Sequence, residues 1–363
     1  MKDRKTILYL LILSTFFLSM MALLASAEEG VGTRAKSSAL YSTDTNSFLF
    51  EKNSNERLPM ASTTKIITAL IALESLEQDE LITVPKEAVG IEGSSVYLKE
   101  NDKLTVRDLV YSVLLQSAND AATVLALRIS GSIEGFAEKM NERARELGAI
   151  DTNFMNPHGL DSIEHYTTAR DLSLIAAEAL KNDEFKKISA CYKYSFKLGE
   201  STRTVVNHNK LLKSYDGCIG VKTGFTKKSG RCLVSAAEKD GITLVAVTLN
   251  DPDDWRDHNN LLDFGFKKLE RVFLNDFVDL PDYIPTVSED GSKVNIKLQS
   301  DTVIKLKEEN PSYILDLPTY ISKDIKKGDK IGRLIINICG KDKEIDIIST
   351  NDVKIKGPKR RFL

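Results

Sequence analysis

The chain has 363 residues, of which 42% are hydrophobic and 28% are charged, and its formal net charge is −2. This length and apolar content can bury one substantial core and a smaller second one, which favours two domains. A chain so close to neutrality has no electrostatic attraction for nucleic acid, and we exclude that class of partner.

The N-terminus has the three parts of a secretory signal. The basic residues Lys2, Arg4 and Lys5 precede an apolar run over 7–24, and small residues follow up to Ala27. We predict a signal peptide over 1–27, cleaved after Ala27. An uncleaved membrane anchor is the alternative, because the apolar run nearly spans a bilayer. In both cases the body of the protein is exported.

The first elements of the body are a hairpin and a helix. Residues 37–53 alternate around a polar turn at 44–46, which predicts a β-hairpin. Apolar residues then recur at helical spacing in a segment that begins near Ser62. A second helix opens at Thr105 with a capping box. A polar break over 116–120 separates it from a helix over 121–129.

The next stretch combines helices with hairpin-linked strands. A loop over 152–161 leads to a capping box at Thr168 and a helix that continues through Leu180. From Ile219 onward the pattern is that of β-strands, and a helix over 255–269 closes the region. This order predicts a mixed domain on a largely antiparallel sheet.

Beyond about residue 272 the segments alternate with period two and contain no helical pattern. Four or more short strands predict a small all-β domain, which we interpret as a sandwich. The boundary falls near 275–285, so we predict domains over 28–275 and 276–363.

The cysteines and histidines are not spaced as metal ligands. There is no Cys-x-x-Cys, and no histidine pairs helically with another or with a suitable Glu, so we predict no metal site. The spacing assigns no disulfide. The residues concerned are Cys191, Cys218, Cys232, Cys339, His158, His165, His208 and His258.

Ser62-Thr-Thr-Lys65 is a candidate nucleophile with its base. Positions i and i+3 share a helix face, so the hydroxyl and the amine can meet. A serine needs a base to take its proton, and a lysine can serve if burial or a neighbouring cation lowers its pKa. A helix cap and a solvated lysine are the simpler alternative for this motif alone.

Two weaker motifs follow in order. In Ser117-Ala-Asn119 the serine could relay a proton and the amide could hold a substrate carbonyl, although Asn119 or Asp120 could simply cap the next helix. In Lys222-Thr-Gly224 a lysine on an apolar strand must meet something polar, and Gly224 allows another backbone to approach. A strand-end lysine is the alternative. The three motifs fall at a helix start, in an interhelical loop and on a strand, and this combination favours serine acyl transfer.

The three motifs resemble those of the D-alanyl-D-alanine carboxypeptidases, the low-molecular-mass penicillin-binding proteins. The resemblance extends from about Ala39 into the β-rich region and includes Asn156-Pro-His-Gly-Leu-Asp161, His165-Tyr-Thr-Thr-Ala169 and Gly230-x-Cys232. It implies an α+β fold, with a penicillin-binding, β-lactamase-like domain and a smaller C-terminal all-β domain. It also implies a peptidoglycan stem peptide as substrate, inhibition by β-lactams and no cofactor.

The resemblance further implies roles for particular residues. Ser62 would attack the penultimate D-alanine, Lys65 would take its proton, and Ser117 would pass a proton to the leaving D-alanine. The remaining candidates would bind substrate or line the oxyanion hole: Asn119, Lys222, Thr223, Gly224, Phe225 and Arg256.

Two other functions remain as alternatives. A β-lactamase would need a deacylating glutamate, and the 152–168 loop offers only Glu164, without the expected Glu-x-x-x-Asn. A non-catalytic module that binds stem peptides would not need all four of Ser62, Lys65, Ser117 and Lys222. The C-terminal tip, 356–363, is too short for the amphipathic membrane helix of many relatives, and Pro358 argues against one. Membrane association therefore stays open.

Overall fold

The computed structural model describes residues 31–356. The predicted signal peptide and nearly all of the C-terminal tip lie outside the described residues. Within 31–356, none of the helices combines the length and the apolar character that crossing a bilayer requires.

A five-stranded antiparallel sheet forms the centre of the fold. Its strands are β1 (Ser37–Ser42), β2 (Ser47–Lys52), β7 (Cys218–Thr226), β8 (Gly230–Lys239) and β9 (Ile242–Leu249), and they lie in the order β2-β1-β9-β8-β7. The predicted hairpin is confirmed, because β1 and β2 pair with each other at one side of this sheet. Two further pairs of strands occur within the same part of the chain, β3 (Leu81–Thr83) with β4 (Lys103–Thr105) and β5 (Lys193–Leu198) with β6 (Ser201–Val206).

The helices pack against this sheet and against one another. In chain order they are α1 (Lys65–Ser75), α2 (Val106–Leu115), α3 (Asn119–Ser130), α4 (Ile133–Glu146), α5 (Ala169–Ala179), α6 (Asp183–Ala190), α7 (Leu211–Ser214) and α8 (Asp254–Lys268). Strand alternation divides them between the two faces. Val245 and Val247 of β9 join the main core with α1, whereas Leu244 lies against Gly265 of α8. This confirms the predicted sheet flanked by helices.

The capping signals fall where the sequence predicts them. The Thr105 hydroxyl accepts the Asp108 N–H, and the Asp108 carboxylate accepts the Thr105 N–H, which completes a capping box at α2. The Thr168 hydroxyl accepts the Asp171 N–H at the start of α5. These bonds satisfy N–H groups that have no partner within a helix's first turn.

From Leu269 onward the described chain is β-structure with a short 3-10 turn. The strands are β10 (Leu269–Phe273), β11 (Tyr283–Pro285), β12 (Lys293–Leu298), β13 (Thr302–Leu306), β14 (Ser312–Asp316), β15 (Lys330–Ile338) and β16 (Lys341–Ser349). Five of them form an antiparallel sheet in the order β11-β12-β16-β15-β14, and β10 pairs with β13. A second hydrophobic core runs from Leu274 to Val353. The predicted α+β class with an all-β C-terminal part is therefore confirmed.

Candidate active site

Ser62 and Lys65 lie on consecutive turns at the start of α1. Ser62 belongs to a 3-10 turn, Ala61–Thr64, and the α-helix begins only at Lys65, slightly later than the sequence predicts. The reason is local: the Thr63 and Thr64 hydroxyls each donate to the carbonyl three residues earlier, at 2.7 Å, and Ala61 has a φ of +48°. The turn nevertheless brings the Lys65 Nζ to 3.0 Å from the Ser62 Oγ.

The Lys65 amine is held from two further directions. Its Nζ donates to the Asn119 Oδ1 at 2.6 Å and to the His158 carbonyl at 2.5 Å, and the residue is 0% exposed. A neutral amine has two N–H groups and one lone pair. Because two oxygen acceptors occupy both N–H groups, the lone pair remains for the Ser62 hydroxyl proton. This is the orientation that a general base requires.

The electrostatics favour the neutral form of this amine. Burial lowers the pKa of Lys65 well below its ordinary value, the positive charge of Lys222 lowers it further, and Asp120 opposes both. Desolvation disfavours an isolated ammonium, and a second nearby cation adds to that effect. Both effects favour the neutral amine, which is the form that can accept a proton from Ser62.

Lys222 lies on β7, buried to 1% exposure. Its Nζ donates to the Thr223 carbonyl at 2.8 Å, and burial lowers the pKa of Lys222 to about 7. The simpler alternative, a solvated lysine at a strand end, is wrong. Its charge also contributes to the electrostatic field at Lys65.

Gly224, on the same strand, allows β7 to approach the Ser62 turn closely. A Cβ at this position would lie 3.0 Å from the Met60 carbonyl oxygen and 3.1 Å from the backbone nitrogens of Ser62 and Thr63. Few Cβ atoms have contacts that short, so the absent side chain permits the observed spacing. The backbone N–H groups of Ser62 and Phe225 therefore belong to two neighbouring segments.

The Ser117–Asn119 segment lies at the start of α3. Ser117 has a φ of +60°, a region that non-glycine residues rarely adopt and that is found often at functional sites. Ala118 is the N-cap residue and makes no side-chain cap. The alternative that Asn119 caps this helix is wrong, because its side chain contacts Lys65 and the Glu92 carbonyl instead. The Asp120 carboxylate accepts the Ala121 N–H at 2.9 Å within the first turn.

The loop that carries the His158 carbonyl is fixed to the Ser62 turn. The His165 Nδ1 accepts the Met155 N–H at 3.0 Å, so its proton lies on Nε2, which donates to the Thr64 hydroxyl at 2.8 Å. Burial lowers the pKa of His165 to about 4 and that of His158 to about 3, which keeps both neutral. Each of these two rings accepts a backbone N–H of the loop, which is a structural role.

A cavity of about 480 Å³ opens beside these groups. Of the sequence-predicted residues, Ser62, Ser117, Thr223, Gly224 and Phe225 line it directly. Lys65 connects to it through its hydrogen bond to Ser62, and Asn119 through its hydrogen bond to Lys65. Sequence reasoning assigned no role to the other lining residues, Ser94, His208, Arg231, Cys232, Asp254 and Trp255.

Two candidates lie elsewhere. Arg256 is not among the described residues that line the cavity, and its guanidinium pairs with Asp253 at 3.0 Å and with Asp257 at 3.7 Å. Its role as a carboxylate contact remains a prediction. Glu164, the only deacylating base considered for a β-lactamase, is exposed, and it too is absent from the described cavity lining.

Comparison with known proteins gives a consistent result. The sequence profile described as D-alanyl-D-alanine carboxypeptidase matches residues 24–253. The chain is 32% identical to the D-alanyl-D-alanine carboxypeptidase DacF of Bacillus subtilis over 89% of this chain and 87% of that protein. It is also 32% identical to DacC of Escherichia coli, over 82% of this chain and 78% of the relative.

Solved structures have the same fold. Penicillin binding protein 5 from Haemophilus influenzae superposes with a TM-score of 0.67 at 26% identity, over 89% of this chain and 98% of that chain. The Streptomyces K15 DD-transpeptidase gives a TM-score of 0.62 at 33% identity, over 65% of this chain and 98% of its own.

The fold and the serine–lysine site together define a penicillin-binding serine peptidase. The matches narrow the assignment, because the sequence profile covers more than half of the chain and the relatives cover most of it. The chain belongs to the D-alanyl-D-alanine carboxypeptidase family. The family, the fold and the peptidase activity expected from the three motifs are therefore confirmed.

Proposed function

We propose that this enzyme removes the terminal D-alanine of peptidoglycan stem pentapeptides through an acyl-enzyme on Ser62. The observation that carries the proposal is the Lys65 amine, 3.0 Å from the Ser62 Oγ, with both of its N–H groups directed at other acceptors. A hydroxyl beside a desolvated, oriented amine is an activated nucleophile.

The acylation step follows from these positions. The Ser62 Oγ attacks the carbonyl carbon of the penultimate D-alanine, and its proton passes to the Lys65 Nζ. The resulting oxyanion accepts hydrogen bonds from the N–H groups of Ser62 and Phe225, in neighbouring segments at the Gly224 approach. When the C–N bond breaks, Ser117 delivers the proton to the departing D-alanine amine. Water then hydrolyses the ester and regenerates the Ser62 hydroxyl.

The remaining candidates would hold the substrate. Asn119 would bind the substrate amide while it orients Lys65, and Thr223 would contact the terminal carboxylate from the cavity wall. Lys222 would supply positive charge from beneath, since its amine is buried at the Thr223 carbonyl. No step in this scheme requires a cofactor.

The enzyme's location, domain bounds and partners can also be proposed. The family acts on peptidoglycan, which implies action outside the cytoplasmic membrane, and it binds β-lactams. We propose export by the signal peptide over 1–27, a catalytic domain over 28–275 and a small β-sandwich over 276–363. We also propose that nucleic acid is not a ligand; membrane association stays open.

The test is release of D-alanine from diacetyl-Lys-D-Ala-D-Ala. We expect Ser62→Ala to abolish both this release and covalent labelling by a fluorescent penicillin. Ser173→Ala, which removes a buried helical hydroxyl bonded to the Ala169 carbonyl, is the matched control and should keep both activities. Persistent labelling of Ser62→Ala would exclude Ser62 as the nucleophile.

D-alanine release and nitrocefin turnover together separate the alternative functions. A non-catalytic stem-peptide module would release no D-alanine at all. A β-lactamase would turn over nitrocefin rapidly, whereas the exposed position of Glu164 provides no deacylating base in the cavity. We therefore expect slow release of the penicilloyl group.

A further inference from the structure

The loop over residues 92–98 lies directly against Asn119. The Asn119 backbone N–H donates to the Ser94 carbonyl at 2.7 Å, and its side-chain Nδ2 donates to the Glu92 carbonyl. Gly93, with a φ of +93°, lies so close that a Cβ there would be 2.8 Å from the Asn119 Nδ2. Ser94 also lines the cavity. The 92–98 loop is therefore part of the wall of the candidate active site.

These contacts decide which end of the Asn119 amide faces Lys65. Because the Glu92 carbonyl accepts from the Asn119 Nδ2, the amide nitrogen is turned toward the loop and the Oδ1 toward the Lys65 Nζ, at 2.6 Å. An amide turned by half a rotation would present N–H groups where the amine needs an acceptor. The 92–98 loop thus fixes the acceptor that orients the proposed base.

A single buried carboxylate, that of Asp120, holds the 92–98 loop in this position. Its Oδ2 accepts the Ser95 hydroxyl and the Leu98 N–H, the latter at 3.0 Å, and its Oδ1 accepts the Val96 N–H at 3.2 Å. Asp120 is 1% exposed. A buried carboxylate needs hydrogen-bond donors to offset its loss of hydration, so the loop and the carboxylate stabilise each other.

The backbone between these bonds has a conformation that it would not adopt unaided. Tyr97 has a φ of +59° although its side chain is exposed. The N–H groups on either side of it, those of Val96 and Leu98, both donate to Asp120, and its own N–H donates to the Ser95 Oγ at 2.8 Å. A residue other than glycine remains in this region only where the surrounding structure determines it. Here the hydrogen bonds to Asp120 and Ser95 impose it.

The charge of Asp120 also acts on the proposed base. Burial and the positive charge of Lys222 lower the pKa of Lys65, whereas Asp120 raises it. His158 and His165 also interact electrostatically with Lys65, but burial lowers the pKa of both, so they are neutral near pH 7. Removal of the Asp120 charge should therefore lower the pKa of Lys65 further.

We propose that Asp120 is a positioning residue for acylation, which holds the 92–98 loop so that the loop orients Asn119 and, through it, Lys65. The proposal rests on the function proposed above, in which Lys65 is the base. Asp120 is absent from the described residues that line the cavity, so it acts through the loop and not by contact with the substrate.

The first test is Asp120→Asn, which keeps the shape of the side chain and removes its charge. The new NH2 group cannot accept the Leu98 N–H, so the loop should loosen. For D-alanine release from diacetyl-Lys-D-Ala-D-Ala we expect the plateau of kcat/KM to fall about 10- to 100-fold, part of what a well-placed general base contributes. Because the lost charge had raised the pKa of Lys65, the acidic limb of the pH profile should move to lower pH.

Asp171→Asn is the matched control. Asp171 is also an aspartate in the first turn of a helix, 4% exposed, and its carboxylate holds another loop by accepting the Asp151 N–H at 2.7 Å and the Thr152 hydroxyl at 2.8 Å. Among the described residues it neither lines the cavity nor shifts the pKa of Lys65. Its substitution should lower the thermal midpoint but leave the acidic limb in place.

Two results would overturn the proposal. One is a plateau of kcat/KM in Asp120→Asn within about threefold of wild type, which is less than the loss of one hydrogen bond to a charged group. The other is a lower plateau with an unmoved acidic limb, as in Asp171→Asn, because a merely structural defect reduces activity equally at every pH.

Hydrogen exchange tests the same contact without any substrate. The amide hydrogens of Val96 and Leu98 should exchange at least about 10-fold faster in Asp120→Asn, because their acceptor is weakened or lost. Unchanged exchange would refute the holding role. If the wild type releases no D-alanine, the proposed function fails, whereas this exchange and the rate of acylation by a fluorescent penicillin still test Asp120.

Ser95→Ala changes the contact from the loop side. It removes the hydroxyl that donates to Asp120 and keeps the carboxylate charge. We expect faster exchange at Val96 and Leu98 and a smaller loss of kcat/KM than in Asp120→Asn, with the acidic limb in place. Should Asp120→Asn fail to fold, wild-type exchange and wild-type kcat/KM in Ser95→Ala would overturn the proposal.

Discussion

The sharpest test of the site's geometry is a single added methyl group, Gly224→Ala. The backbone of Gly224 lies outside the positive-φ region, so alanine is conformationally allowed and the effect is purely one of space. The new Cβ would lie 3.0 Å from the Met60 carbonyl oxygen and 3.1 Å from the Ser62 nitrogen, and the neighbouring backbone would have to move by a few tenths of an ångström.

That displacement is as large as the tolerance of an oxyanion hole. Donor N–H groups are effective within a window of only about 0.4 Å in distance, and losing one donor costs about 100- to 1,000-fold in kcat. Because Gly224 lies next to both proposed donors, we expect the acylation rate to fall at least about 10-fold. Stability should change little, since alanine in a strand is otherwise favoured over glycine by about 0.5–1 kcal/mol.

The assay is the second-order rate of acylation by a fluorescent penicillin, measured alongside the thermal midpoint. Gly135→Ala provides the control, because its Cβ would also make a close contact, 3.1 Å from the Ser132 Oγ, at the start of α4 and outside the cavity lining. Acylation of Gly224→Ala within about twofold of wild type would refute the reasoning, because it would show that the strand-to-turn spacing does not set the rate.

Two further predictions concern titration. Asn119→Asp places a carboxylate where an amide oxygen now lies 2.6 Å from the Lys65 Nζ, which must raise the pKa of Lys65. The acidic limb of the kcat/KM profile should move to higher pH, with activity recovered in alkali; an unshifted limb would show that Lys65 is not the base. Burial lowers the pKa of His258 from 6.5 to about 3, so below pH 6.5 the unfolded chain binds a proton that the native chain does not. This residue should then lower the free energy of unfolding by about 1.4 kcal/mol for each unit by which the pH falls below 6.5. The thermal midpoint of His258→Gln should therefore decline less steeply than that of the wild type between pH 6.5 and 5. Parallel declines in the two proteins would contradict this.

Periodicity and capping chemistry were sufficient to predict most of the fold. The hairpin at 37–53 and the helices after Thr105 and Thr168 depend on local patterns of a few residues, and each lies where expected. The exception is the start of α1. A φ of +48° at Ala61 and two threonine hydroxyls delay the helix, and such side-chain to backbone bonds compete with the helix ladder in ways that composition does not reveal.

Some parts of the site could be predicted from short motifs, and others could not. Ser62, Lys65, Asn119 and Lys222 were predicted because each belongs to a short motif, and the structure brings their atoms together. The third contact of Lys65 was missed, since it is made by a backbone carbonyl 93 residues away.

Arg231 was missed for a related reason. Its sequence neighbourhood is that of an ordinary strand residue, and only the pairing with β7 and the start of α8 places it at the cavity. Arg256 was assigned as a substrate contact by position, from the family resemblance. Tertiary pairing with Asp253 and Asp257 is not visible in a linear pattern.

The backbone acceptor at position 158 limits how the enzyme can vary. The acceptor of the Lys65 hydrogen bond at position 158 is a backbone carbonyl, so exchanging the His158 side chain does not remove it; the exchange removes instead the acceptor of the Leu160 N–H. Position 159, by contrast, has no room for a side chain. Gly159 has a φ of +87°, and any Cβ would lie 1.9 Å from the Ala61 carbonyl oxygen, inside the turn that carries the nucleophile. Any side chain at position 159 would therefore displace the backbone that carries Ser62.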